Sequence, residues 1–138
     1  PGQQKGFVTA DFASQIAAIE ADKQEPIISV GNLTAQRDFL DVRDVVRAYR
    51  LLLEHGTLGE VYNVASGIGR SIKSILDTLL AMSRVPITVQ QDPARMRPSD
   101  TPVMIGNAEK ITLATGWSPN IPFEKTLTDI LDYWRKSL

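Results

Sequence analysis

Two arginines and the acidic residues near them offer the most specific chemistry in this sequence. Arg37 begins the segment RDFLDVRDVV (residues 37–46), and Arg97 begins RPSD (residues 97–100), which ends at Asp100. A guanidinium binds two phosphate oxygens at once through charge-assisted hydrogen bonds, and a carboxylate accepts hydrogen bonds from a diol. The proline after Arg97 stiffens that segment. The pattern therefore predicts a site for a phosphorylated ligand rich in hydroxyl groups.

A second interpretation of Arg37 stays open at this level. The guanidinium could pair with Asp38 or Asp41 and only brace a turn, which is the ordinary role of a surface ion pair. Arg95 is better interpreted as part of a solvated polar loop than as a ligand contact. Arg97 and Asp100 remain the candidates of that loop, because loops held by a rigid scaffold often carry binding residues.

Groups that could perform acid–base chemistry are harder to find. The turn SGIGRS (residues 66–71) resembles a dinucleotide-binding turn but lacks its third glycine. None of the three tyrosines, Tyr49, Tyr62 and Tyr133, has a lysine four residues later. With one histidine and no cysteine, the sequence predicts no metal site and no catalytic residue within the chain. It resembles the binding half of an enzyme.

Composition narrows the class of protein. The chain has 138 residues, of which 43% are hydrophobic and 22% charged, as expected for one globular domain. Its net charge of −1 argues against a nucleic-acid partner. No apolar run approaches the roughly 20 residues of a membrane span. The lack of cysteine fits a cytoplasmic protein.

Apolar periodicity and turn residues predict alternating helices and strands. Helices are expected over residues 8–22, 41–55, from Ser71 through Met82, 108–115 and 123–134; strands over 26–30, 37–40, 60–65 and 86–89; and a loop over 92–102. Thr9 and Asp41 are predicted N-caps, and Gly56 a left-handed C-cap. In the second helix Val45, Val46, Tyr49, Leu52 and Leu53 are predicted to face a core. The fold class is a small mixed α/β lobe.

Taken in order, these segments resemble the C-terminal part of the extended short-chain dehydrogenases/reductases that act on nucleotide sugars. Within that family they are most similar to the GDP-mannose branch, which includes the GDP-4-keto-6-deoxy-D-mannose reductases and the GDP-mannose 4,6-dehydratases. The resemblance covers essentially the whole chain, 1–138. It rests on PGQ (1–3), GFV (6–8), GNL (31–33), RDF (37–39), DVRDVV (41–46), YNVASG (62–67), RPSD (97–100) and GWSP (116–119).

The resemblance implies a role for particular residues. Arg37 and Arg97 would contact the diphosphate or the nucleotide, and Asp100 would hold the ribose. The remaining implied contacts, near the nucleobase or the phosphates, are Val8, Asn32 and Leu33. Asp11 and Asp100 favour the reductases, because the dehydratases are expected to have a basic residue at the first position and a glutamate at the second.

The resemblance also implies what this chain lacks. A Rossmann domain with the glycine-rich fingerprint, the Tyr-x-x-x-Lys pair and most of the NADP or NAD site would precede residue 1. The intact protein would be a homodimer acting on a GDP-sugar, and this chain alone would be inactive. Besides the reductase and the dehydratase, another nucleotide-sugar epimerase or dehydratase stays open, as does a non-catalytic sugar-nucleotide-binding module.

Overall fold

A computed structural model describes residues 2–4, 6–96 and 101–138. In chain order its elements are α1 (Val8–Glu20), β1 (Ile27–Val30), β2 (Gln36–Asp38), α2 (Val42–His55), β3 (Gly69–Ser71), α3 (Ile72–Ala81), β4 (Thr88–Gln91), a 3-10 turn (Pro93–Arg95), β5 (Val103–Met104), α4 (Glu109–Thr115) and α5 (Phe123–Lys136). The predicted mixed α/β class is confirmed.

The chain divides into two compact units. The first unit comprises Pro1–Ala35, Ser71–Pro102 and Glu124–Leu138, and the second comprises Gln36–Arg70 and Val103–Phe123. Each unit is therefore built from segments that lie far apart in the sequence.

The first unit is organised around a parallel strand pair. β1 pairs with β4, with Ile28 opposite Val89 and Val30 opposite Gln91. α1 packs against both β1 and α3. The core residues of this unit are apolar side chains at helical or alternating spacing: Phe12, Ile16, Ile19, Ile28, Val30, Ile75, Leu76, Leu79, Leu127 and Leu131. Because parallel strands end at the same edge, the segments after Val30 and Gln91 start side by side.

A nearly buried ion pair joins the helices of the first unit. Arg135 on α5 donates from Nε (2.7 Å) and Nη2 (2.8 Å) to the two carboxylate oxygens of Glu20. The Arg84 backbone N–H donates to the same carboxylate (2.9 Å), and Arg135 also donates to the Met82 carbonyl (2.9 Å). The Arg135 hydrogen bond holds the pKa of Glu20 below its usual value, because it outweighs the effect of burial.

We expect Glu20→Gln to remove part of the acid sensitivity of the protein. The pKa of Glu20 is lowered in the folded state, so its stabilisation is complete above the unfolded-state pKa of about 4.3 and is lost as the pH falls below it. Melting temperatures measured between about pH 7 and about pH 3 should therefore fall less steeply in the variant. Parallel curves for the variant and the wild type would contradict this role.

The second unit combines a three-stranded sheet with two helices. The strand order is β3-β2-β5, and β2 runs parallel to β5, with Arg37 opposite Met104. α2 packs against α4, and Ala48, Ile111 and Trp117 form a fully buried cluster between them and the turn after α4. The Trp117 Nε1–H donates to the Asp44 carbonyl (3.0 Å), so the indole is satisfied as well as buried.

Of the three predicted helix caps, Thr9, Asp41 and Gly56, the structure confirms one. Asp41 caps α2, and its Oδ1 accepts the Arg43 N–H (2.9 Å), as predicted. The prediction for Thr9 is wrong, because Thr9 lies inside α1 and Phe7 holds the N-cap position without a side-chain hydrogen bond. The prediction for Gly56 is also wrong: its φ of −71° and ψ of 151° are extended rather than left-handed.

The predicted core face of α2 is mostly wrong. Val46 (60% exposed), Tyr49 (59%) and Leu53 (90%) lie on the surface, whereas Asp44 and Ala48 are buried. The helical period is right but the buried side is displaced, because the Asp44 carboxylate is used internally by the chain after α4. An apolar stripe therefore remains exposed on α2.

One strand is also misplaced. The segment 60–65 forms no strand, although Tyr62 and Val64 pack against the Trp117 cluster. β2 pairs instead with β3, which lies inside the segment predicted to be a turn, and with β5. Here side-chain packing, not a hydrogen-bonded ladder, explains the β-branched residues.

Candidate functional site

Arg37 is the middle residue of β2, the central strand of the second unit's sheet. Its side chain is half-buried, and Nη1 donates to the Gln36 carbonyl (2.7 Å). The backbone of a central strand is hydrogen-bonded on both sides, so the base of the Arg37 side chain has a well-defined position. This is the rigid presentation that the sequence predicts for a phosphate-binding arginine.

The neighbouring carboxylate has a separate task. Asp38 Oδ1 accepts hydrogen bonds from the Ser66 N–H (2.8 Å) and Oγ–H (2.6 Å), while Oδ2 accepts from the Gly67 N–H (2.9 Å) and the Gly106 N–H (3.2 Å). We call this set the Asp38 network. It ties β2 to the turn before β3 and to the residue just after β5.

The open interpretation of Arg37 can now be judged in part. Among the residues that the structure describes, Asp38 forms no ion pair, so the version in which it braces Arg37 is wrong. Asp41 pairs with Arg43 (2.8 Å) while it caps α2. The Asp38 carboxylate therefore serves the backbone, and the interpretation in which Asp41 pairs with Arg37 stays open.

Two glycines make the Asp38 network possible. Gly67 has a φ of +74°, a left-handed conformation that favours glycine. A Cβ added at Gly106 would overlap with the Cβ of Ala65. The close backbone approach at both positions brings the N–H groups within reach of one carboxylate.

In the first unit, Asn32 and Leu33 follow β1 directly. The Asn32 Oδ1 accepts from the Thr34 N–H (2.9 Å) and Oγ1–H (2.8 Å), which closes a local turn. The Leu33 carbonyl accepts the Lys73 N–H (3.0 Å) at the start of α3. Both predicted contact residues are thus held at the carboxyl end of β1, with the amide nitrogen of Asn32 not used by that turn.

Arg95 is ordered by a contact that its sequence context does not reveal. Its Nη1 lies 2.9 Å from Asp11 Oδ2 on α1, and Gln15 Nε2 donates to the same oxygen (2.9 Å). The Arg95 backbone also lies against Gly31, where a Cβ would collide with it. Arg95 is exposed, as expected of a polar loop, but its side chain is also paired with Asp11, which the sequence does not predict.

The other predicted positions can be placed only in part. Val8 is the half-buried first residue of α1. Arg97 and Asp100 lie outside the described residues, so their roles stay predictions. The segment that leads to them starts at the carboxyl end of β4, beside the segment that carries Asn32, because β1 and β4 are parallel.

Two side chains of the second unit have positions or contacts that the sequence does not predict. Asp38 organises the backbone around β2, and Arg70 lies at the middle of β3, next to β2 in the sheet. Asp38 is the last residue of β2 and Arg70 the middle residue of β3. Recognising these positions and contacts requires knowing which strands pair.

Two searches of the described residues found nothing. No group of three or more histidine, cysteine, aspartate or glutamate side chains there could hold a metal ion. Over the same residues, no helix is long and apolar enough to cross a membrane.

Comparison with known proteins defines the class. The model of the GDP-mannose 4,6 dehydratase family matches residues 1–130, which is nearly the whole chain. The protein therefore belongs to this family of nucleotide-sugar enzymes, as the ordered segments RDF, YNVASG and GWSP predict.

Particular relatives refine the comparison. The chain is 40% identical to the GDP-6-deoxy-D-mannose reductase of Pseudomonas aeruginosa over 97% of its own length and 44% of the relative's. It is 31% identical to the GDP-6-deoxy-D-talose 4-dehydrogenase of Aggregatibacter actinomycetemcomitans over 83% of its own length and 37% of the relative's. The structure of RMD from P. aeruginosa complexed with NADPH superposes with a TM-score of 0.94 at 38% identity, over 100% of this chain and 46% of that one. The chain thus spans less than half the length of these relatives.

Proposed function

We propose that this chain is the substrate-binding portion of an NAD(P)-dependent nucleotide-sugar enzyme that reduces the 4-keto group of GDP-4-keto-6-deoxy-D-mannose. The observation that carries the proposal is the 40% identity to a GDP-6-deoxy-D-mannose reductase across 97% of the chain. A dehydratase acting on GDP-mannose is the alternative, and the name of the matching family supports it.

Substrate binding is assigned to the groups described above. Arg37, held by a central strand, would bind the diphosphate together with Arg97, and Asp100 would accept from the ribose hydroxyls. Val8, Asn32 and Leu33 would lie near the nucleobase or the phosphates. Binding the nucleotide far from the reacting carbon would orient the sugar and lower the entropic part of the barrier.

A nicotinamide would supply the hydride for this reduction, but the residues of this chain do not fit that cofactor. The turn at residues 66–71 lacks the fingerprint, and α3 is already capped, since Ser71 Oγ accepts the Ser74 N–H (3.0 Å). We place the NADPH or NADH site in other parts of the full-length protein. The matched region is 46% of the NADPH-bound P. aeruginosa structure, so more than half of that protein lies outside the match.

The proposal is tested by assaying the full-length protein with NADPH and GDP-4-keto-6-deoxy-D-mannose. We expect loss of the reduced nicotinamide absorbance and formation of a GDP-6-deoxyhexose, identified by mass. Conversion of GDP-mannose without net consumption of cofactor would instead identify a dehydratase. GDP-sugar binding without turnover of either substrate would identify a non-catalytic module.

Arg37→Met and Arg97→Ala should each raise KM for the GDP-sugar about 10- to 100-fold, the value of a charge-assisted hydrogen bond, with a smaller change in kcat. Arg50→Met is the matched control, because Arg50 is exposed and pairs with Glu54 on the same helix. Steady-state kinetics provides both constants. An unchanged KM in either variant would remove that arginine from the proposed site.

A further inference from the structure

Arg70 is an arginine whose charge is not compensated by the residues that the structure describes. Its Nε is buried and has no hydrogen-bond partner there. Other arginines in the described chain are paired with carboxylates: Arg43 with Asp41, Arg47 with Asp44, Arg50 with Glu54, Arg95 with Asp11 and Arg135 with Glu20. A buried, unpaired donor is unfavourable, so Arg70 requires an explanation.

Aromatic packing holds this side chain in place. The Arg70 guanidinium carbon lies 4.4 Å from the centre of the Phe123 ring, and Phe123 packs at 5.7 Å against Phe39. Stacking occupies the flat face of a guanidinium, whereas its N–H donors point outward in the plane. The contact with Phe123 therefore fixes the group and leaves its edge for another partner.

The position of Arg70 places a second cation on the strand next to that of Arg37. Each is the middle residue of a three-residue strand, and β2 and β3 are neighbours in the sheet. The Ile72 N–H donates to the Ala35 carbonyl (3.0 Å), which joins the residue after β3 to the residue before β2. Two cations on neighbouring strands favour a bound anion, and the carboxylate of Asp38, next to Arg37 in the sequence, already accepts from backbone N–H groups.

We propose that Arg70 binds a phosphoryl group of the nucleoside diphosphate, so that Arg37 and Arg70 together meet the charge of the diphosphate. A phosphoryl group offsets the charge of Arg70 and accepts hydrogen bonds from its outward-pointing donors. This inference rests on the proposed function. The phosphoryl group is assigned to the sugar nucleotide and not to the dinucleotide cofactor, because Arg37 on the adjacent strand is assigned to that ligand.

The test compares inhibition of the full-length enzyme by GDP, GMP and guanosine. In the wild type, affinity should rise with each phosphate added. Arg70→Met should weaken the affinity for GDP about 10- to 100-fold and the affinity for guanosine hardly at all. Arg70→Lys, which keeps the charge, should retain part of the preference for GDP over guanosine. Arg50→Met should match the wild type.

The possible outcomes distinguish failure of this inference from failure of the proposed function on which it rests. A folded Arg70→Met variant with wild-type affinity for GDP overturns the role of Arg70 alone. A wild-type enzyme that binds neither GDP nor a GDP-sugar overturns the proposed function as well. A rise confined to the KM for NADPH would show that the phosphoryl group belongs to the cofactor, and would also overturn the assignment.

A measurement on the wild type avoids any effect of the substitution on folding. An arginine-specific dicarbonyl reagent, followed by peptide mass mapping, reports the accessibility of each guanidinium. Bound GDP should protect Arg70 from modification, while exposed Arg50 should react equally with and without GDP. Equal modification of Arg70 in both samples at saturating GDP would overturn the proposal.

Discussion

Replacing Asp44 with alanine should lower the free energy of unfolding by about 3–5 kcal/mol, the range for breaking a buried ion pair. Asp44 is 1% exposed. Its carboxylate accepts from Arg47 Nη2 (2.8 Å), from the Asn120 N–H (3.1 Å to each oxygen) and from the Ile121 N–H (3.0 Å). Alanine would leave all three donors without this acceptor and detach the chain after α4 from α2.

Urea denaturation followed by circular dichroism measures this effect, with two variants as references. Glu54→Ala removes an exposed carboxylate of the same helix and should leave stability within error of the wild type. Asp44→Asn keeps the shape and one acceptor oxygen, so its free energy of unfolding should lie between those of Asp44→Ala and Glu54→Ala. A loss in Asp44→Ala no larger than that in Glu54→Ala would contradict the structural role of this carboxylate.

The same carboxylate contributes to acid sensitivity. Burial disfavours the charged form of Asp44, but the Arg47 hydrogen bond and the backbone N–H groups of Ile121 and Asn120 outweigh burial, so the pKa is lowered. A lowered folded-state pKa means that the stabilisation is complete above the unfolded-state value of about 3.9 and is lost as the pH falls below it. Protonation of Glu20 and Asp44 in acid therefore destabilises the first and the second unit, respectively.

Asp44 also shows which part of the fold could be predicted from the sequence. The N-cap at Asp41 and the extent of α2 follow from local chemistry and are confirmed. The buried side of α2 does not follow, because a rule that places apolar residues inside assigns Val46 and Leu53 to the core. The acceptors needed by residues 120 and 121, more than 70 positions away, decide which side is buried.

The candidate site shows a similar division. The role of Arg37 is predictable from its type and its short strand, although the site itself awaits the tests above. The role of Arg70 is not predictable, because its importance depends on the pairing of β3 with β2 and on the approach of Phe123. The ion pair of Arg95 is not predictable for the same reason, because its partner Asp11 precedes it by 84 residues. Local patterns carry no information on such distant partners.

The Asp38 network should be the second most sensitive point of the molecule, and it links stability to ligand binding. Asp38→Ala leaves the N–H groups of Ser66, Gly67 and Gly106 without their acceptor, and should lower the free energy of unfolding by about 2–4 kcal/mol. Because the network fixes β2, the variant should also raise KM for the GDP-sugar more than it lowers kcat. Thermal unfolding and steady-state kinetics of the full-length protein measure the two effects.

Asp38→Asn separates positioning from simple loss of structure. With its carbonyl oxygen at the Oδ1 position, asparagine keeps the Ser66 contacts and loses those to Gly67 and Gly106, so both effects should be about half as large on the energy scale. Asp77→Ala, which breaks only an exposed pair with Lys73, should cost about 0.5 kcal/mol or less and leave KM unchanged. If Asp38→Ala destabilises the protein yet keeps the wild-type KM, the network supports the fold without positioning Arg37.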